Sequence, residues 1–332
     1  LTAVPGSGSV FAGWSGSVTS SANPLNVTMN SDMNIVATFV VPAGPYSDQF
    51  DTCSLDARWG SPVNPAGDGT FKVDGRYLRI TVPEGATHNL WTDNKDAPRV
   101  MQAADNVDFE YIVKFDSAVT QTAQMQGIII EQDAQNFARF DIEYNEGVKA
   151  YAATFENGTS RKRISIDINP ADAVYLRVMR VGVRWFMHYG PNGVDWTEAG
   201  SFNNYVLNVA SAGVFAGNVA VKGNPAPAHT AVVDYFHNKT LGALPAERPL
   251  LDITTVGSGS VTANPPLGQL ACGTNVTLTA NPGLGATFSE WSGAVTGTEP
   301  TVSFLINGPK QVTATFIGST QRYFLLPTVI KP

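Results

Sequence analysis

Arg139, Asp141 and Glu143 are the residues whose types and spacing could most readily do chemistry in this chain. They alternate with Phe140 and Ile142 within residues 136–144, NFARFDIEY. In a strand, a period of two puts the cation and both carboxylates on one face, and Ala138, Phe140, Ile142 and Tyr144 on the other. Two carboxylates on one face could serve acid–base work on a glycosidic bond. A cation between them could equally make an ion pair on a solvated sheet surface, or Arg139, Asp141 and Glu143 could, with His188, bind the hydroxyls of a sugar. A second group is HNLWTDN, residues 88–94. There Trp91 offers a ring for the C–H face of a sugar, and His88, Asp93 and Asn94 offer hydrogen bonds to hydroxyls. Trp196, in PNGVDW, is either a further ring of this kind or hairpin packing. His188 shares a strand face with Arg184 and Phe186, and would meet Arg139 only if their strands were neighbours on one sheet.

The elements that must position these groups are strands. Residues 127–131, GIIIE, and 136–144 flank a short turn, DAQN, in the middle of the largest domain. Upstream, Phe71 and Val73, then Leu78, Ile80 and Val82, then Phe109, Tyr111, Val113 and Phe115 alternate with polar residues. Downstream comes an Asn157–Gly158 turn of hairpin type, followed by VYLRVMRV, VRWFMHYG, GVFAGNV and AVVDYFHN. At least ten candidate strands with short turns predict an all-β sandwich over residues 48–238. Trp59 is expected in its core. Linkers rich in Pro or Gly, 40–47 and 239–250, separate it from what lies on either side.

What lies on either side is one motif written twice. Residues 1–39 and 278–316 align without a gap, with 16 of 39 positions identical. Trp14 meets Trp291, Phe11 meets Phe288 and Phe39 meets Phe316. The shared residues are those a small β-domain needs: aromatics for a small core and Gly for turns. The second copy has an additional upstream half, residues 251–277, so the first is expected to be truncated, with a further domain of the same protein upstream. The last domain is read as 251–317. The tail 318–332, ending YFLLPTVIKP, is either a sorting-type signal or an edge strand.

Two resemblances sharpen this. The repeated motif, with GSGSV, CGTNVTLTANP, FSEWSG and VTATF, resembles the internalin B-type repeat of bacterial surface and secreted proteins. That implies a β-grasp-like spacer; Trp14 and Trp291 either fill its small core or stack on a ligand. The middle stretch, with WTDNKDAPRVMQ, DFEYIVKF, QGIII, NFARFDIEY, YLRV and WFMHYGPNGVDW, is similar to the concanavalin A-like sandwich family. Within it the chain is most like the branch found as the C-terminal domain of bacterial β-xylosidases. The resemblance implies a jelly roll of two antiparallel sheets with ligands at a concave face or its rim. The fold hosts binding modules, glycosidases and lyases alike. Retaining glucanases of this fold carry Glu-x-Asp-x-Glu on one strand, their carboxylates roughly 5–5.5 Å apart. Here Arg139 stands at the nucleophile position, which argues against that chemistry. A lyase would need a Tyr/His pair, and Tyr144 falls on the core face while His188 and Tyr189 point oppositely. Such sandwiches often hold a calcium ion. Asp48, Asp51 and Asp234 are the candidate ligands; no cofactor is otherwise required.

Composition sets the outer bounds. The 332 residues include 31 Gly and 21 Pro with only 15% charged residues, the mix of strands and tight turns. A net charge of −7 argues against a nucleic-acid surface, and the one basic run, Arg161–Arg163, reads as a solvated strand. No apolar run reaches the length of a membrane span. Low Lys and scarce Cys fit an extracellular or cell-surface protein. Cys53 and Cys272 lie in different domains by these boundaries; they either bridge them or have partners elsewhere. The reading is a carbohydrate-binding region held by spacers. A glycosidase or lyase on the concave face, and a structural adhesin or stalk, are the alternatives.

Overall fold

The computed structural model describes residues 1–4, 9–20, 22–40, 44–92, 95–221 and 223–318. Two units emerge: residues 1–50 with 54–247, and residues 51–53 with the chain from Arg248 onward. Among the described residues there are strands and short 3-10 turns but no α-helix.

In the first unit, β1 (Val10–Gly16) and β2 (Ile35–Val40) pair antiparallel as a small sheet. Then come β3 (Thr70–Val73), β4 (Leu78–Val82), β5 (Arg99–Ala103), β6 (Phe109–Phe115) and β7 (Gln124–Asp133). β8 (Asn136–Tyr144), β9 (Val148–Glu156), β10 (Thr159–Asp167) and β11 (Tyr175–Val181) follow. The last are β12 (Arg184–Gly190), β13 (Thr197–Phe202), β14 (Ser211–Asn218) and β15 (His229–Asn238). They form a six-stranded sheet, β10-β9-β8-β7-β14-β5, and a seven-stranded sheet, β13-β12-β11-β6-β15-β4-β3. All the sandwich pairings are antiparallel.

The alternation in the sequence becomes the core. Leu78, Ile80, Phe109, Tyr111, Val113, Phe115, Trp185 and Trp59 from one side meet Ile128, Ile130, Ala138, Phe140 and Ile142 from the other. Register makes the packing complementary: Phe140 faces Ala152 and Ile142 faces Ala150, large beside small. The β9–β10 turn at Asn157–Gly158 has positive φ at both residues, 49° and 79°, the geometry that matches a hairpin's twist. In the basic run on β10, Arg161 and Lys162 are exposed as expected, while the Arg163 guanidinium sits 5.1 Å from the Phe202 ring centroid.

The six-stranded sheet differs from expectation on its other face. That face carries a second apolar cluster, including Ile129, Phe137, Tyr151, Phe155 and Phe215, roofed by Leu90 and Ala97 from the β4–β5 connection. The sheet is therefore buried on both faces where β8 runs.

The second unit contains β16 (Leu251–Val256), β17 (Gly259–Asn264), β18 (Asn275–Pro282), β19 (Ala286–Gly293), β20 (Thr301–Leu305) and β21 (Lys310–Gly318). They form two three-stranded sheets, β16-β21-β19 with a parallel β16/β21 pair, and β17-β18-β20. The repeat seen in sequence is a repeat in structure. Trp14 pairs with Ala37 and Trp291 with Ala314; a bulge follows Phe11 in one copy and Phe288 in the other. Trp14 Nε1 donates to the Ala22 carbonyl (2.8 Å), and Trp291 Nε1 to that of Glu299 (2.9 Å). Both indoles are buried, each 5.1 Å from the matching Phe ring. The cysteines are disulfide-bonded to each other, and because residues 51–53 belong to the second unit the bond is internal to it, not a bridge between domains. Arg248 backs it with bidentate hydrogen bonds to Asp51 at 2.7 and 3.1 Å. The tail from 319 lies outside the described residues.

Candidate functional site

The polar row of β8 is not a solvated face. Arg139 is 2% exposed and Asp141 is fully buried. The register explains how they fit. Asp141 lies opposite Gly127 on β7, where a Cβ would come within 2.6 Å of the Asp141 Cβ, so glycine leaves the room that the carboxylate occupies. Arg139 donates from Nε to Asp141 Oδ1 (2.8 Å) and from Nη2 to Oδ2 (2.7 Å). Its Nη1 reaches Asn89 Oδ1 (3.0 Å) and the Leu90 carbonyl (3.2 Å), and Nη2 also meets Met125 Sδ (3.1 Å). The guanidinium lies 5.3 Å from the Tyr151 ring centroid and 5.6 Å from that of Phe215. Arg139 thus fastens the 89–91 segment to the sheet, and with it Trp91, whose indole packs edge-on against Phe155 at 5.5 Å.

Burial works against the Arg139 cation, but the charge and hydrogen bonds of Asp141, then Glu143, hold its pKa above the ordinary value. Burial raises the Asp141 pKa and Arg139 opposes it. Both carboxylate oxygens accept from the guanidinium, which favours the charged form of each partner against burial. Glu143 lies 3.9 Å from Arg139 Nη2 and has no such grip. Burial first, and Asp141 second, push it up to about 7.

Glu143, Arg139, Trp91, Asn89, Tyr144 and Tyr151 are among the residues lining a cleft of about 310 Å³ on this face. A second hollow, about 620 Å³, shares Thr122, Tyr144, Asn145 and Val221 with it. Three aromatic rings beside amides, a hydroxyl and a carboxyl can stack against a ring and hydrogen-bond its hydroxyls. Tyr144, assigned by alternation to the core, sits at the end of β8, packs partly against the core and also lines the cleft.

The other candidates are dispersed. His88 is fully buried, with Nδ1 2.9 Å from Asn218 Oδ1 and Nε2 2.8 Å from Asp68 Oδ1; it anchors the loop instead of facing a ligand. Asp93 and Asn94 lie outside the described residues. His188 is on β12 of the seven-stranded sheet, so it does not share a sheet with Arg139. Burial, then Arg177, lowers its pKa. Trp196 is on that side too, with the Arg177 guanidinium 4.6 Å from its ring centroid and Tyr175 edge-on at 6.4 Å, so it packs its hairpin. The calcium set does not assemble. Asp48 accepts from Trp59 Nε1 (2.8 Å), Asp234 pairs with Lys114, and Asp51 is taken by Arg248. No group of three or more metal-ligating side chains occurs among the described residues.

Asn89, Tyr151 and Thr122 went unnoticed in the sequence. Tyr151 could have been found, because Tyr151, Ala153 and Phe155 alternate on β9, and Tyr151 falls directly opposite Asp141. Asn89 and Thr122 are loop residues whose position depends on tertiary contacts.

A two-sheet antiparallel sandwich with a cleft on one sheet's outer face places the central region in the concanavalin A-like class. The chain belongs to the family described as the beta xylosidase C-terminal concanavalin A-like domain, which matches residues 47–239. The divergent InlB B-repeat domain matches residues 1–42 and 250–319. Among solved structures, the GH43 protein BlXynB from Bacillus licheniformis is similar at 18% identity and a TM-score of 0.45, over 58% of this chain and 38% of that one. A functionally unknown protein from Saccharomyces cerevisiae is similar at 13% identity and a TM-score of 0.41, over 52% of this chain and 94% of that one. The carbohydrate binding module CBM66 from Bacillus subtilis gives 13% identity and a TM-score of 0.34, over 52% and 94%. The chain thus covers less than two fifths of the GH43 protein's length. No curated protein matches the chain. No helix among the described residues is long and apolar enough to cross a membrane.

Proposed function

We propose that the sandwich is a non-catalytic polysaccharide-binding region, and that the repeats space it from other parts of a secreted or surface-attached multidomain protein. The observation that carries this is the cleft where Trp91, Tyr144 and Tyr151 meet Asn89, Asn145 and Glu143. Apolar ring surface with a few convergent polar groups is the composition of sugar sites. The test is retention on a panel of xylan, β-glucans, arabinan, pectin and alginate, with reducing ends and unsaturated products assayed in parallel. Retention without new product supports a binding module. Failure to bind any member favours a structural stalk.

One observation favours a second reading, a glycoside hydrolase or lyase. Glu143, held near 7 in a cleft, is poised as a general acid. Against it, Asp141 is locked by Arg139, and no carboxylate faces Glu143 in the nucleophile position that Arg139 occupies. Product formation abolished in Glu143→Gln would establish the enzyme.

A further inference from the structure

The charges of the two joined hollows point to a ligand class. The charged residues lining them, among the described ones, are Arg139, Glu143 and Glu146. The one cation is spent. Asp141, Asn89, the Leu90 carbonyl and Met125 take its donors, and the rings of Tyr151 and Phe215 lie near it. Around Glu143, Lys149 on β9 stands directly opposite but pairs with Asp167, Lys162 on β10 is exposed, and Asp141 lies on the same strand, hydrogen-bonded to Arg139. Tyr151 from β9 and Met125 from β7 also face the region.

A uronic-acid chain needs a cation with donors to give, as a bidentate guanidinium or an ammonium. The cleft has none to give and offers two carboxylates instead. Hydroxyls of an uncharged sugar, by contrast, can donate to Glu143 and exchange hydrogen bonds with the amides of Asn89 and Asn145. The hollows adjoin through shared residues, which gives room for more than one sugar unit.

We propose that this cleft takes uncharged oligosaccharides and that Glu143 is the residue that excludes uronic-acid chains. The proposal rests on the reading of the cleft as a carbohydrate site. Since burial and Asp141 push Glu143 up to about 7, the exclusion strengthens as pH rises through that value.

The experiment is calorimetric titration of the whole chain with neutral hexasaccharides of xylose, glucose, galactose, mannose and arabinose, and with C6-oxidised counterparts of the hexoses, at pH 5.5 and pH 8. At pH 8 the best neutral hexose chain is expected to bind about tenfold or more tighter than its oxidised counterpart, a like-charge penalty of ordinary size. The ratio should narrow at pH 5.5 in the wild type, and in Glu143→Gln at pH 8. The wild-type pH arm does not depend on the variant folding. A uronate that binds as tightly as its neutral counterpart at pH 8, or a ratio that neither pH nor Glu143→Gln changes, overturns the proposal and leaves the carbohydrate reading standing. If neutral binding is confined to pentose chains, polygalacturonate binding at pH 8 refutes exclusion and its absence there with gain in Glu143→Gln supports it. No heat with any sugar overturns the carbohydrate reading and the proposal with it.

Discussion

Arg139 spends its charge inside the protein, and that determines what its neighbours can do. A buried pair is strongly destabilised when one partner is removed, because the other is left as an uncompensated charge. Arg139→Leu should therefore cost about 3–5 kcal/mol in urea unfolding. Replacing Asp141 by Leu in the same chain should recover part of that loss, since no orphaned carboxylate remains. A double variant less stable than Arg139→Leu alone would show that the pair is not coupled in this way. Glu143 makes the opposite kind of prediction. Burial and Asp141 push it up to about 7, above the ordinary value of 4.5, so between these the native state holds a proton that the unfolded chain has released. Stability from this group is thus greatest below about 4.5, falls by roughly 3–3.5 kcal/mol as pH rises to about 7, and is then flat. Glu143→Gln should flatten that part of the stability–pH curve; an unchanged slope would place its origin elsewhere.

At the scale of elements, β8 is a strand between two apolar layers. Its even-numbered face was legible: Ala138, Phe140 and Ile142 alternate as they should and lie in the core. Its odd-numbered face was not. A cation and two carboxylates at period two resemble a solvated surface, and only the β4–β5 connection, placed there by His88, Asn218 and Arg139, turns that face inward. Such loop contacts are non-local and leave no periodic trace. The same reason hid Asn89 and dispersed the aspartates proposed for calcium, each of which finds a different partner. Gly127 reports on the tight fit. A methyl there would sit 2.2 Å from the Phe140 carbonyl oxygen, so β7 and β8 must part. Gly127→Ala should cost about 1–3 kcal/mol, read as a lower thermal midpoint. A neutral effect would mean that the hairpin yields freely and that its register does not set the Arg139–Asp141 geometry.

Over the whole molecule, the division of the chain into repeats and sandwich was readable because an ungapped repeat preserves register. The same Phe–Trp contact and the same indole hydrogen bond recur in both copies. What the pattern could not assign was Cys53, whose place in the sequence puts it with the sandwich while its bond to Cys272 puts it in the second unit. Trp291→Ala should destabilise that unit by about 3–5 kcal/mol and leave glycan affinity unchanged; loss of affinity without loss of stability would make the indole a ligand platform. On the proposed reading, glycan binds the outer face of the six-stranded sheet. Hydrogen exchange of the whole chain, with and without the tightest-binding member of the polysaccharide panel, tests it most directly. Slower exchange is expected in residues 89–91, 121–125, 143–151 and 219–221. Protection confined to residues 184–198 of the seven-stranded sheet, with residues 89–91 unchanged, would contradict it.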